Sequence, residues 1–142
     1  MRTGGEVTAH GSGGKTFACH CPVDPARVWA ALTQPTQTAA YLYGLALHST
    51  WVPEAPIDVR HENRPALTGR VLCSRRNERL SYVLHSEPDD PPVYLTWLVR
   101  TSPGGCTIRL QIDEIDCADA VDDAEDTWLP VLAALQNVLA PS

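Results

Sequence analysis

Hydrophobic and polar residues alternate with a period of two through most of the chain between residues 46 and 116. Successive side chains of a strand point to opposite faces of its sheet, so this alternation predicts strands with one buried face. Short segments rich in Pro, Gly and Asn separate the strands, which predicts an antiparallel meander. The predicted strands are Lys15–Cys21, Ala46–Val52, Ile57–Glu62, Leu67–Arg75, Arg79–His85, Val93–Thr101 and Cys106–Ile115. The predicted turns lie at Pro53–Pro56, Asn63–Pro65, Asn77, Pro88–Pro92 and Pro103–Gly105.

Two short helices are predicted after the first strand. Asp24 is a typical capping residue, and Pro25 suits the first helical position because an N–H there has no intrahelical partner. The first helix is predicted over Pro25–Leu32, and the second runs from Pro35 to about Leu42, before Gly44.

A longer amphipathic helix is predicted from Asp122 to Leu139. Its start is rich in acidic residues, which the helix dipole favours at that end. Pro130 implies either a long helix with a kink, which we expect, or a regular helix that begins near Thr127. The apolar stripe consists of Ala124, Trp128, Val131, Leu132, Leu135, Val138 and Leu139. This stripe is expected to cover the dry face of the sheet, which gives an α+β fold.

Length and composition predict a single soluble domain. The chain has 142 residues and a formal net charge of −6. This charge favours neither nucleic acid nor an anionic membrane surface as a partner. We expect a flexible tail over residues 1–14 and one domain over 15–142.

Location and redox state are predicted from what the sequence lacks. No secretory signal and no apolar run long enough to cross a bilayer are visible, so we expect a cytoplasmic protein. Five cysteines, an odd number without a close-spaced framework, suggest reduced thiols.

Several motifs resemble those of a known family. Residues Pro25–Thr33 read Pro-Ala-Arg-Val-Trp-Ala-Ala-Leu-Thr, and Gly69–Val71 and Arg79–Tyr82 give a Gly-x-Val and an Arg-Leu-x-Tyr strand. A Gly104-Gly105 turn precedes the last strand, and the terminal helix carries Trp128 before its leucines. Over about residues 15–140 the chain resembles the family named after the activator of the heat-shock-protein ATPase, within the START-like (SRPBCC) superfamily, whose bacterial members include many of no established activity.

This resemblance implies a helix-grip fold: a curved antiparallel sheet of six or seven strands, two short N-terminal helices and a long C-terminal helix across the sheet. It also implies a cavity between sheet and helix in which an apolar small molecule or lipid binds. We expect no cofactor, no membrane insertion and a monomer or weak homodimer. The expected cavity residues are Tyr41, Tyr82, Leu95, Trp97, Ile108, Leu110, Trp128, Leu132 and Leu135.

Polar clusters in the chain predict no metal site. His20 alternates with Cys19 and Cys21 along a predicted strand, so the three side chains cannot converge on one ion. The histidines at 61 and 85 precede nearby glutamates, but His85 is expected to face solvent or a strand neighbour. The acidic run between 113 and 126 lacks the spacing of a calcium loop and is expected to be solvated.

Two alternative functions stay open. The chain could be a protein-interaction or chaperone-accessory module in a stress response, using an exposed sheet face or Asp119–Asp126, with a filled core. It could also be a cavity enzyme of the cyclase or dehydratase type, which would need Arg70, His61 or Tyr82 to point into the pocket. We expect ligand binding rather than catalysis.

Overall fold

The computed structural model describes residues 15–86, 92–114 and 118–140, with side chains described up to Asp113 and again from Thr127. The predicted tail at 1–14, most of the predicted turn at 88–92, Cys117 and the side chains of the acidic run at 114–126 lie outside the described residues. Within the described residues, no helix is both long and apolar enough to cross a membrane.

One antiparallel sheet of seven strands carries three helices. The sheet order is β1-β7-β6-β5-β4-β3-β2, so neighbouring strands are consecutive except where β1 pairs with β7. This architecture confirms the predicted α+β helix-grip fold. The elements are β1 (Lys15–Cys21), α1 (Pro25–Thr33), α2 (Pro35–Tyr41), β2 (Leu45–His48), β3 (Pro56–His61), β4 (Arg64–Arg75), β5 (Arg79–His85), β6 (Val93–Ser102), β7 (Gly105–Glu114) and α3 (Ala118–Leu139).

The capping residues behave as the sequence predicts. The Asp24 carboxylate accepts a hydrogen bond from the Arg27 N–H at 3.2 Å, and Pro25 occupies the first turn of α1. Pro35 likewise occupies the first turn of α2. Because proline disfavours a helical conformation at the residue before it, α1 ends at Thr33 and the extended Gln34 links the two helices.

The predicted end of the second strand is wrong. The second strand was expected to reach Val52, but β2 ends at His48, and Trp51 and Glu54 take left-handed φ values of 60° and 73°. The Trp51 indole leaves the sheet register to donate to the Thr33 carbonyl at 2.9 Å. This side-chain bond has no signature in the alternation of the sequence.

The turn between β3 and β4 is shorter than predicted. Glu62 and Asn63 alone form it, with φ values of 53° and 67° that suit a two-residue hairpin. Pro65, expected in the turn, lies in β4 opposite Arg60. A bulge beside this pair breaks the regular ladder, and bulges are where a strand tolerates proline.

The inner face of the sheet forms the core with α3. Cys106, Ile108, Leu110 and Ile112 of β7 are at most 2% exposed, as their alternation predicts. From α3, Val131, Leu132, Leu135 and Leu139 are buried against this face, while Leu129 is 50% exposed. Pro130 lies inside a helix that begins at Ala118, so the long-helix prediction is confirmed and the start near Thr127 is wrong.

Polar side chains fasten α3 at its C-terminal end. The Arg27 guanidinium donates to the Gln37 side-chain carbonyl at 2.8 Å and to the Val138 backbone carbonyl at 3.0 Å. The last carbonyls of a helix lack intrahelical donors, so a cation there is favourable. In addition, the Gln136 amide donates to the His20 carbonyl of β1 at 3.0 Å. Arg27 thus joins all three helices.

Gly105 is required where β6 turns into β7. Its φ is 153°, and a Cβ there would lie 2.1 Å from the Cys21 carbonyl oxygen and 2.7 Å from Pro22 Cα. These are backbone atoms of the strand that pairs with β7, so a side chain would separate the two strands. We expect Gly105→Ala to lower the free energy of unfolding by about 3 kcal/mol or more.

Gly104→Ala is the matched control, because its Cβ would meet only the His20 ring at 3.9 Å and would carry only the cost of φ +81°. We expect a loss of about 1–2 kcal/mol there. Urea unfolding followed by circular dichroism measures both variants. Equal losses would contradict the steric argument.

Removal of the Arg27 guanidinium is expected to weaken the attachment of α3. Arg27→Met keeps the aliphatic part and leaves the Val138 carbonyl without this donor, so we expect a loss of about 1.5–3 kcal/mol in urea unfolding. Arg64→Met, at an exposed position at the start of β4, is the control and should change stability by less than about 0.5 kcal/mol. A loss at Arg27 no larger than at Arg64 would refute the role of this side chain.

Candidate ligand groove

An apolar groove of about 260 Å³ opens between the sheet and α3 at the end of the sheet where β5 finishes and β6 begins. Leu84 of β5 and Val93 of β6 are directly opposite each other in the ladder and form part of its floor. Trp128 approaches from α3. The lining residues are Leu42, Tyr43, Leu45, Leu67, Leu84, His85, Ser86, Val93, Leu95, Thr127 and Trp128.

Beside the groove, an aromatic cluster fills the core. The Tyr41 and Trp97 rings meet edge to face, with centroids 5.9 Å apart and planes at 84°. The Trp97 indole donates to the Tyr82 hydroxyl at 3.0 Å, and the Tyr41 hydroxyl donates to the Ala31 carbonyl at 3.0 Å. All three rings are at most 2% exposed, and their polar atoms are satisfied.

Burial raises the pKa of both tyrosines in this cluster. For Tyr82 the loss of hydration outweighs the opposing hydrogen bond from Trp97, and for Tyr41 the neighbouring Tyr82 adds to the effect of burial. Both phenols therefore stay neutral at physiological pH and serve as packing groups with one hydrogen bond each, which makes them unsuited to act as bases.

Of the nine cavity residues expected from the sequence, the structure brings Leu95 and Trp128 to this groove. Tyr41, Tyr82 and Trp97 form the aromatic cluster described above. Ile108, Leu110, Leu132 and Leu135 are at most 4% exposed, between the inner face of the sheet and α3. Trp128 is partly buried and packs against the core, in agreement with the expected docking of the helix.

The rim of the groove is polar. The Tyr43 hydroxyl donates to the Thr127 carbonyl and thereby spans the gap from the turn after α2 to α3. Tyr43 has φ 56° and is 59% exposed, so this contact holds an otherwise exposed ring in place. His85, expected to face solvent or a strand neighbour, is half-buried at the opposite rim. Among the described lining residues there is no Lys or Arg.

Most lining residues were missed by the sequence analysis because they come from element ends. Leu42, Tyr43 and Leu45 surround the turn between α2 and β2, where no periodicity exists. The alternation of β5 and β6 does mark Leu84 and Val93 as inward-facing. Only the strand register, which sequence does not give, shows that these two positions meet beside Trp128.

The residues expected of a cavity enzyme do not meet in one place. Tyr82 is inside the core, but His61 is exposed at the end of β3. Arg70 lies on the outer face of the sheet, 3.8 Å from the Glu54 carboxylate. There it lines a larger depression of about 440 Å³ that also includes Tyr94 and the outer side of His85. Because polar groups contribute as much to its walls as apolar groups do, this depression is a poorer apolar site than the groove.

The Cys19-His20-Cys21 segment is a structural feature of β1. His20 Nε2 lies 3.1 Å from the Pro103 carbonyl, on the face opposite the two cysteines. Burial raises the pKa of the Cys19 thiol to about 12, with the neighbouring Cys21 adding to the effect, and burial also raises the pKa of Cys21. Both thiols are therefore protonated at neutral pH, whereas metals bind thiolates. Within the described residues no group of three His, Cys, Asp or Glu side chains could hold a metal ion.

Solved structures share this architecture at low sequence identity. Protein MLL2253 from Mesorhizobium loti superposes with a TM-score of 0.74 at 20% identity, covering 89% of this chain and 96% of that one. Protein CV1439 from Chromobacterium violaceum superposes with a TM-score of 0.73 at 15% identity, covering 92% of this chain and 99% of that one. CalU16 from Micromonospora echinospora superposes with a TM-score of 0.72 at 13% identity, covering 90% of this chain and 76% of that one. These superpositions establish a common fold.

The curated proteins contain no sequence match to the chain. The family model described as "Activator of Hsp90 ATPase homolog 1-like protein" matches residues 22–140. That range spans every element from the cap of α1 to the end of α3, including the motifs on which the resemblance was based. The chain therefore belongs to the Activator of Hsp90 ATPase homolog 1-like family, within the START-like superfamily.

Proposed function

We propose that this chain binds a small, neutral, largely apolar molecule in the groove beneath the N-terminal half of α3. The observation that carries the proposal is the groove itself: a concave apolar surface with a few polar groups at its rim, beside a core whose polar atoms are satisfied. Such a combination is typical of small-molecule sites.

The volume of the groove limits the size of the ligand. An apolar cavity of about 150 Å³ accepts benzene, and sites for drug-sized ligands measure about 300–1,000 Å³. At about 260 Å³ the groove fits a molecule of one or two rings, or a short acyl chain. A two-chain membrane lipid or a sterol would extend far into solvent. The volume of the groove therefore favours a small molecule over a lipid as the ligand.

The charge of the lining residues limits the polarity of the ligand. Since the described groove residues include no Lys or Arg and the chain has a net charge of −6, a carboxylate would gain no compensating cation there. His85 can instead hydrogen-bond a single hydroxyl or carbonyl group at the rim. A planar ring would lie against Trp128. Burial of about 200 Å² of such a ligand would contribute about 5 kcal/mol, enough for a Kd of about 0.2 mM.

Titration with 1-naphthol, indole and cholesterol tests this proposal. We expect the two small aromatics to change the chemical shifts of the Trp128 indole N–H and of the Leu84, Leu95 and Val93 amides, and cholesterol to leave them unchanged. Val93→Phe fills part of the groove and is expected to weaken binding by about tenfold or more.

Leu129→Phe adds the same ring on the exposed side of α3 and serves as the control for Val93→Phe. It should bind the aromatics like the natural chain. Unchanged shifts at all three groove amides, or equal loss in both variants, would refute the groove as the site.

Tyr43→Phe is expected to speed the dissociation of the ligand from the groove. The variant keeps the ring but removes the bond to the Thr127 carbonyl, worth about 1 kcal/mol, so the ligand off-rate should rise about fivefold. Stopped-flow displacement measures this rate. Tyr94→Phe, which changes a phenol on the outer face, is the control. An off-rate that is the same in both variants would show that the Tyr43 contact does not close the rim.

A further inference from the structure

The outer face of the sheet carries an arginine patch that the ligand groove does not use. We define it by Arg79, Arg100 and Arg109, which surround Leu98. Arg79 of β5 is directly opposite Leu98 of β6, and Leu98 is directly opposite Arg109 of β7. Trp97 is fully buried on the inner face, so Leu98 and its partners in the ladder lie on the outer face.

Strand geometry brings the three guanidinium groups close together. Arg79 and Arg109 are two strands apart, which places their backbones about 10 Å from each other. Arg100 lies two residues after Leu98 and is the diagonal neighbour of both, at about 7–8 Å. Each side chain is long enough to reach a group bound over Leu98, which is itself half-buried.

Like charges held this close repel one another unless something compensates them. All three arginines are exposed, and no carboxylate of the described residues forms an ion pair with any of them. Next to the patch on the same face, Ser81 and Thr96 are uncharged and share a hydrogen bond at 3.0 Å. Arg75, directly opposite Arg79, does have a carboxylate, since Glu78 lies 4.0 Å away.

The rest of the chain makes this concentration of positive charge unusual. The chain is acidic, with 17 Asp and Glu against 11 Lys and Arg. Five of its arginines, at 75, 76, 79, 100 and 109, nevertheless lie at the end of the sheet formed by the β4–β5 turn and the facing parts of β6 and β7. The acidic run of the sequence begins at the opposite end of β7.

We propose that the arginine patch binds a short carboxylate-rich segment of a partner protein. Guanidinium groups hold carboxylates through paired hydrogen bonds, and arginine is enriched in protein interfaces. The patch is about 10 Å wide, which suits a few carboxylates of one segment. A nucleic acid would need cations over a longer path, whereas the chain as a whole carries a net charge of −6. This surface lies across the sheet from the groove, and the inference is independent of the proposed ligand.

A fluorescence-anisotropy titration with a labelled peptide of alternating Glu and Gly tests the inference, in about 100 mM NaCl so that remote charges are screened. We expect saturable binding, with shifts of the Ser81, Leu98 and Arg109 amides. The triple variant Arg79→Gln, Arg100→Gln, Arg109→Gln should bind at least about tenfold more weakly. A triple Arg→Lys variant at these positions keeps the charge but loses the paired hydrogen bonds. Its affinity for the peptide should lie between that of the natural chain and that of the triple Gln variant.

The matched control is Arg60→Gln, Arg64→Gln, Arg70→Gln, which removes equal charge elsewhere. It should retain the peptide affinity to within about twofold, because those positions lie beyond a Debye length. Thermal melts of each variant check folding, and the patch variant should melt no lower than the control. Equal weakening in both triples, tighter binding of a single-stranded DNA oligonucleotide, or self-association that disappears in the patch variant would each overturn the proposal.

Discussion

The fold depends on the one-sided burial of its sheet. Every strand places apolar side chains on the inner face, and all three helices lie on that side, with α3 supplying the largest cover. An uncovered face of this kind would expose far more apolar area than a soluble domain tolerates. The groove and the arginine patch both follow from this arrangement. The groove lies where the cover by α3 is incomplete, and the patch lies on the face that α3 leaves free.

Attachment of α3 is uneven along its described length: the C-terminal part is firmly held, and the part that borders the groove is held less firmly. Toward its C-terminus the helix has buried leucines and the hydrogen bond from Arg27 to Val138. Around Thr127 and Trp128 the described contacts are fewer: a half-buried indole and the hydroxyl of Tyr43. Pro130 stands between these two parts and removes one backbone hydrogen bond. A groove at the less fastened end can admit a ligand without disturbing the core.

Local signals in the sequence were sufficient to predict the fold, whereas the candidate site depends on non-local geometry. Alternation in β7 and the stripe in α3 gave the layers, and Asp24 with Pro25 located α1. The strand end at His48 depends on the bond from Trp51 to Thr33, and the short turn at Glu62 depends on two left-handed residues. Likewise, Leu84, Val93 and Tyr43 become neighbours only through strand register and a loop conformation. The arginine patch was invisible for the same reason, since its members are far apart in sequence.

The hydrogen bond from Gln136 to the His20 carbonyl has a consequence for the margins of the sheet. An open sheet has two edge strands whose unpaired backbone groups can recruit a strand from another molecule, which is a common start of aggregation. Here β1 gives one of its outward carbonyls to the α3 side chain, and β2, at the other margin, is only four residues long. The template at each margin is therefore reduced, at β1 by the bond to α3 and at β2 by its short length, so the helix that closes the core also lowers the scope for edge-to-edge growth.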